Sequence, residues 1–103
     1  MKKIINSKIY NTETAKSIAS YRAGLGKGDF RNYEEILYKT AKGVFFLAGS
    51  GGPMTKYSEP CGNMTGGGSG IIPLTKEGAL SWLEGHAFTD EIERYFSDLI
   101  EEA

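Results

Sequence analysis

Gly43-Val44-Phe45-Phe46-Leu47-Ala48-Gly49-Ser50-Gly51-Gly52-Pro53-Met54-Thr55-Lys56-Tyr57, then a glycine-rich loop, then Ile71-Ile72-Pro73-Leu74-Thr75, is the stretch whose reading decides the fold. Residues 44–48 are β-branched, aromatic and almost continuously apolar, as suits a central strand covered on both faces. Upstream, residues 32–39 alternate. Ile36 and Tyr38 share one face, and Glu35, Leu37 and Lys39 the other. A short helical turn over 33–36 is the competing reading. Thr40-Ala41-Lys42-Gly43 joins the two segments as a hairpin, with glycine where a positive φ is usually needed. Residues 49–53 are expected to break the strand, and 54–57 to form a third. Residues 58–70 read as a loop, long enough to be either mobile or functional. Residues 71–74 read as the fourth strand, and Pro73, lacking an N–H, favours an edge position.

Working outward, Lys2–Ile5 and residues 8–10 flank Asn6-Ser7 as a small hairpin or an extended segment with a turn. Asn11 or Thr12 caps a helix predicted over 13–23, with Ala15, Ile18 and Ala19 on one face and Gly24 as its stop. Residues 25–30 are a loop by composition. Thr75 caps the next helix, with Leu74 and Ala79 as a hydrophobic staple and Gly85 as its end. Thr89 or Asp90 caps the last helix, where Ile92, Tyr95, Phe96, Leu99 and Ile100 form an amphipathic stripe. The expected fold is a single α+β domain over residues 1–103. It has a small antiparallel sheet of three to five strands, one helix before the main hairpin and two C-terminal helices.

Cys61 is the only cysteine, so no intrachain disulfide forms, and a reducing cytoplasm is the natural expectation. No apolar run approaches the ~18 residues a membrane span needs. Net charge is −1, but residues 1–58 carry +6 and residues 59–103 carry −7. Such a split marks either an interaction face or two halves that attract one another.

The motifs for chemistry are incomplete. Gly49-Ser50-Gly51-Gly52 follows a strand, as a phosphate-binding loop does, but Pro53 comes next and neither Gly-Lys-Ser/Thr nor a helix start follows. Gly66-Gly67-Gly68-Ser69-Gly70 precedes a strand, the wrong polarity. His86, the only histidine, has Glu84 nearby and Cys61 far away in sequence, so neither a metal set nor a nucleophile–base pair is defined. Glu34 and Glu35 are adjacent and face opposite sides of a strand. No catalytic residue, metal or cofactor is assigned. Lys27, Arg31, Lys39, Lys42 and Lys56, with Tyr33, Tyr38 and Tyr57, are the candidates for a nucleic-acid surface, against a sequence pI of ≈ 5.8. Glu91, Glu93, Asp98, Glu101 and Glu102 are the candidates for a phosphate-mimicking face, with a solvated helix face as the plain alternative. Lys56, Tyr57 and the glycine loop are a second candidate contact surface.

Lys3-Ile4-Ile5-Asn6…Tyr10-Asn11-Thr12-Glu13-Thr14-Ala15, Asp29-Phe30…Leu37-Tyr38-Lys39-Thr40…Gly43-Val44-Phe45-Phe46-Leu47, Gly51-Gly52-Pro53-Met54-Thr55-Lys56-Tyr57 and Ile71-Ile72-Pro73-Leu74-Thr75 together resemble a family of small proteins of uncertain function from bacteria, phages and integrative mobile elements. The resemblance covers most of the chain up to about Leu83. Ser50 stands where that family usually has an acidic residue. The resemblance implies a mobile-element accessory protein without established catalytic residues. By analogy with other small acidic proteins of such origin, it implies a cytoplasmic inhibitor of a host defence complex, of the anti-CRISPR kind. The partner would be a host protein or ribonucleoprotein. A small nucleic-acid-binding accessory protein using the basic N-terminal half is the alternative.

Overall fold

In a computed structural model that describes residues 1–24 and 30–103, eight strands and two helices follow in the order β1 (Lys2–Ile5), β2 (Lys8–Asn11), β3 (Lys16–Ala23), β4 (Tyr33–Lys39), β5 (Phe45–Gly51), β6 (Glu59–Cys61), β7 (Met64–Gly66), β8 (Gly68–Leu74), α1 (Lys76–Gly85) and α2 (Thr89–Tyr95). The expected loop over residues 25–30, and Lys27 with it, falls largely outside the described residues. The central sheet is antiparallel, in the order β3-β4-β5-β8. β5 lies inside it and is buried from Phe45 to Gly49. Alternation sends Phe45 and Leu47 to one face and Phe46 and Ala48 to the other.

Two cores result. On one face Leu37, Phe45 and Leu47 pack with Ala79 and Leu83 of α1 and with Phe96. On the other, Phe46, Ala48 and Ile71 pack with Tyr10 of β2. The β1–β2 ribbon thus covers one side of the sheet and the helices the other. Asn6 and Ser7 both take positive φ, 51° and 65°, so the ribbon turns on two left-handed residues. Gly43 has φ 85°, as its place in the β4–β5 connection demands.

The predicted layout needs correction in four places. The helix expected over 13–23 is strand β3, so among the described residues no helix precedes the main hairpin. A turn at Asn11–Ala15, closed by Ala15 N–H on Asn11 C=O, replaces the cap. Residues 16–23 then pair with all of β4 through one irregularity at Ser17/Ala19. Ladder pairing along the length of β4 outweighs a weak local helix preference. The strand break expected at 49–53 comes later, because Gly49, Ser50 and Gly51 still pair with Glu35, Glu34 and Tyr33. Residues 54–57 form turns rather than a strand, and the loop over 58–70 contains the β6–β7 hairpin and the start of β8.

Of the two helices, α1 has the ends expected of it and α2 does not. Thr75 caps α1 as read, its hydroxyl accepting from Gly78 N–H at 3.0 Å. At the other end Phe88 N–H reaches Leu83 C=O and Ala87 N–H reaches Glu84 C=O, the double bond of a Schellman stop. α1 ends at Gly85 as expected, and the left-handed residue that closes the stop is Ala87, with φ 59°. α2 starts after Phe88 with no side-chain cap and ends at Tyr95, so Leu99 and Ile100 lie beyond it and are exposed. β8 is an edge strand, as Pro73 requires.

Candidate functional site around Glu35

Among the described residues Glu35 is the one charged residue that is buried, 1% exposed. Strand alternation puts it on the helix face, beside Leu37, while Glu34 points to the other face and pairs with Arg22. A carboxylate removed from water needs its lone pairs filled. Here three donors from two other parts of the chain fill them. Tyr57 Oη donates to Oε2 at 2.5 Å, Lys56 Nζ lies 2.7 Å from the same oxygen, and Trp82 Nε1 donates to Oε1 at 3.0 Å. Burial pushes the Glu35 carboxyl up. The hydrogen bonds from Lys56, Tyr57 and Trp82 and the charge of Lys56 outweigh it, so Glu35 lies below the usual carboxylate range and is ionised at neutral pH. Burial, and then the bond to Glu35 and its charge, push the Tyr57 phenol well above its ordinary value, so it stays a donor.

The glycines make this site possible. Glu35 sits opposite Gly49, which sits opposite Gly70. The Tyr57 ring lies in that trough, and a Cβ on Gly49 would come within 2.3 Å of it. Two pairs further along, a Cβ on Gly51 would come within 2.4 Å of the Thr55 hydroxyl. The segment 52–58 therefore crosses over the sheet on a glycine floor. Its turn is tied by Thr55 Oγ1, which donates to Gly52 C=O and accepts from Tyr57 N–H. Close approach of one backbone to another chain segment, not phosphate binding, accounts for Gly49 and Gly51.

Around Glu35 lies a group of half-buried rings. Tyr21 stacks on His86 with centroids 3.7 Å apart, Trp82 meets His86 edge-on at 4.9 Å, and Trp82 stacks on Phe88 at 5.7 Å. Lys56, its side chain half exposed, lies 5.9 Å from the Tyr33 ring and 5.8 Å from the Tyr57 ring. Chemically, a carboxylate with all these donors in place has little basicity to offer a substrate. It fixes Tyr57, Trp82 and Lys56 in one arrangement, and His86 and Phe88 pack on Trp82.

The sequence-derived candidates scatter. Lys56 and Tyr57 meet at Glu35, but Tyr57 is 5% exposed and its hydroxyl faces inward. Asp98 is paired with Lys76 at 2.6 Å, and that bond holds its carboxyl below the usual range. Glu93 is exposed and Glu91 partly buried on α2, and Glu101 and Glu102 follow in an extended tail. Lys16 and Lys39 lie against the Tyr95 ring, at 5.5 and 5.7 Å. Two lysines of the positive half thus lie over a tyrosine of the negative half here, and the charge of Lys39 adds to the lowering of Asp98. His86 stands in the ring group, and the side chain of Cys61 lies outside the described set. Glu35 itself gave no local signal. Its donors lie 21, 22 and 47 residues downstream.

Comparison with protein-family models, curated proteins and solved structures finds no match for this chain. Among the described residues no helix is long and apolar enough to cross a membrane.

Proposed function

We propose that the chain is a non-enzymatic binding protein of a phage or mobile element that inhibits a host defence complex, an anti-CRISPR protein acting on the nucleic-acid-binding surface of a CRISPR effector. The observation that carries the binding role is the ring group of Tyr21, Trp82, His86 and Phe88 with Lys56 at its rim, held rigid from beneath by Glu35. Fixed aromatic and cationic side chains supply contact area at small entropic cost, which is how interface hot spots are built. The partner class follows from the resemblance to mobile-element proteins. Affinity capture of purified CRISPR effector complexes on the immobilised chain, with an interference assay in cells, tests it. Capture that is lost in the Tyr21→Ala/His86→Ala double variant supports the reading. No capture and undiminished interference remove it.

A second reading, a small nucleic-acid-binding accessory protein, is favoured by Lys2, Lys3 and Lys8, which have no ion-pair partner among the described residues. It requires retention of DNA or RNA that weakens steeply with salt.

A further inference from the structure

The β1–β2 ribbon and the chain after α2 expose complementary surfaces. Tyr10 points from the ribbon into the sheet and meets Phe46 at 5.4 Å, so the residues alternating with it point outward. Those are Ile4 and Ile9, direct cross-strand partners, 71% and 63% exposed. A β-branched pair bared on the solvent side of a ribbon is an apolar patch that calls for a cover. Lys2 shares its face, while Lys3 and Lys8 alternate with Tyr10 to the other side, and the ribbon has no acidic residue. At the other end of the chain Leu99 and Ile100 are about 40% exposed and are followed directly by Glu101 and Glu102. One surface is apolar with a positive rim, and the other is apolar with a negative rim.

They cannot meet within one molecule. Tyr10 packs on Phe46 and Phe96 packs on Phe45, and these neighbouring residues of β5 point to opposite faces of the sheet. We infer that the two surfaces meet between molecules. The Leu99–Glu102 segment of one copy covers Ile4 and Ile9 of a second, its carboxylates reaching Lys2, and the contact repeats about a two-fold axis. The charge split in the sequence, +6 against −7, thereby acquires a use distinct from the inhibitory role proposed above.

Each contact is small, so the dimer is expected to form only at about 0.1–1 mM protein in ~50 mM salt, and several-fold less well in ~500 mM salt. Sedimentation equilibrium of the full chain measures it, with circular dichroism confirming that each variant is folded. Lys2→Glu and Glu101→Lys/Glu102→Lys are each expected to weaken association several-fold or more. An equal mixture of the two reversed proteins should restore it, because each then offers the other an opposite charge at both contacts. Ile4→Ser/Ile9→Ser should abolish it in any salt. The proposal is overturned by a monomer at about 1 mM in ~50 mM salt, by reversed variants that associate like the parent, or by a mixture that does not recover. It is also overturned if the parent stays monomeric and binds phosphatidylserine vesicles through Ile4 and Ile9, which would make the patch a lipid contact.

Discussion

The phenolic hydroxyl of Tyr57 donates a 2.5 Å hydrogen bond to Oε2 of Glu35 across 22 positions of sequence. Both groups are buried and the acceptor is charged, which puts this bond among the strong ones. Tyr57→Phe removes the hydroxyl and keeps the ring in its trough. We expect it to lower stability by about 2 kcal/mol in urea unfolding, in line with bonds to charged groups. A loss under ~0.5 kcal/mol would mean that Lys56 and Trp82 alone satisfy Glu35.

The same pair sets the pH limits of the fold. The Glu35 carboxyl is lowered in the folded state, so its contribution is present above the unfolded value near ~4.3 and lost as pH falls through the folded value. Tyr57 is raised, so its contribution is present below the unfolded value near ~10 and lost as pH climbs beyond it. Midpoints of urea unfolding between pH 3 and pH 11 should therefore fall at both ends. Tyr57→Phe should flatten the alkaline limb and, because its hydroxyl is one of the donors that hold the Glu35 carboxyl down, shrink the acid limb as well. Tyr95, whose hydroxyl is lowered by its bond to Lys16, pulls the other way in both proteins and drops out of the difference.

Gly49→Ala should be among the most damaging small substitutions, because its methyl would lie 2.3 Å from the Tyr57 ring. Overpacking of this kind costs about 1–3 kcal/mol. In a Tyr57→Ala background the ring is gone, and the same change should cost much less. A double-mutant cycle by thermal unfolding reads the coupling, and strictly additive losses would refute the crossing geometry.

Ala87 holds a left-handed conformation at the end of α1, φ 59°, where glycine is usual. It is exposed and its backbone bonds stay available to glycine. Ala87→Gly should raise stability by about 1 kcal/mol, read as a rise in Tm of roughly 4–8 °C. Gly85→Ala, two residues earlier and within the helix, should also stabilise, since a Cβ there meets nothing within 4 Å.

What the sequence shows follows the range of the interaction. The β4–β5 hairpin was readable because alternation, the glycine at position 43 and a five-residue apolar run agree locally. Thr75 was readable because a cap is a contact across three residues. Strand β3 was not. It is an edge strand with polar residues at Ser17, Ser20 and Arg22, and the irregularity at Ser17/Ala19 breaks its alternation. That leaves Ala15, Ile18 and Ala19 at a spacing that imitates a helix. The β6–β7 hairpin hid within a glycine-rich segment because glycine signals turns more strongly than strands. The Glu35 site was hidden for a different reason. A glutamate in an alternating segment reads as solvent-facing, and only the assembled fold brings Trp82 to it.

Glu35 also carries a consequence for the order of folding. The β4–β5 hairpin is local and forms early by topology, yet burying its carboxylate before Lys56, Tyr57 and Trp82 arrive would strand a charge in an apolar layer. The barrier is therefore expected to be crossed with Glu35 still hydrated, and the crossing segment to close behind it as a late latch. Substitutions at Tyr57 and Trp82 should then speed unfolding while leaving the refolding limb of the chevron almost unmoved, with φ-values near zero, whereas Leu37 and Leu47, paired across the hairpin, should slow refolding.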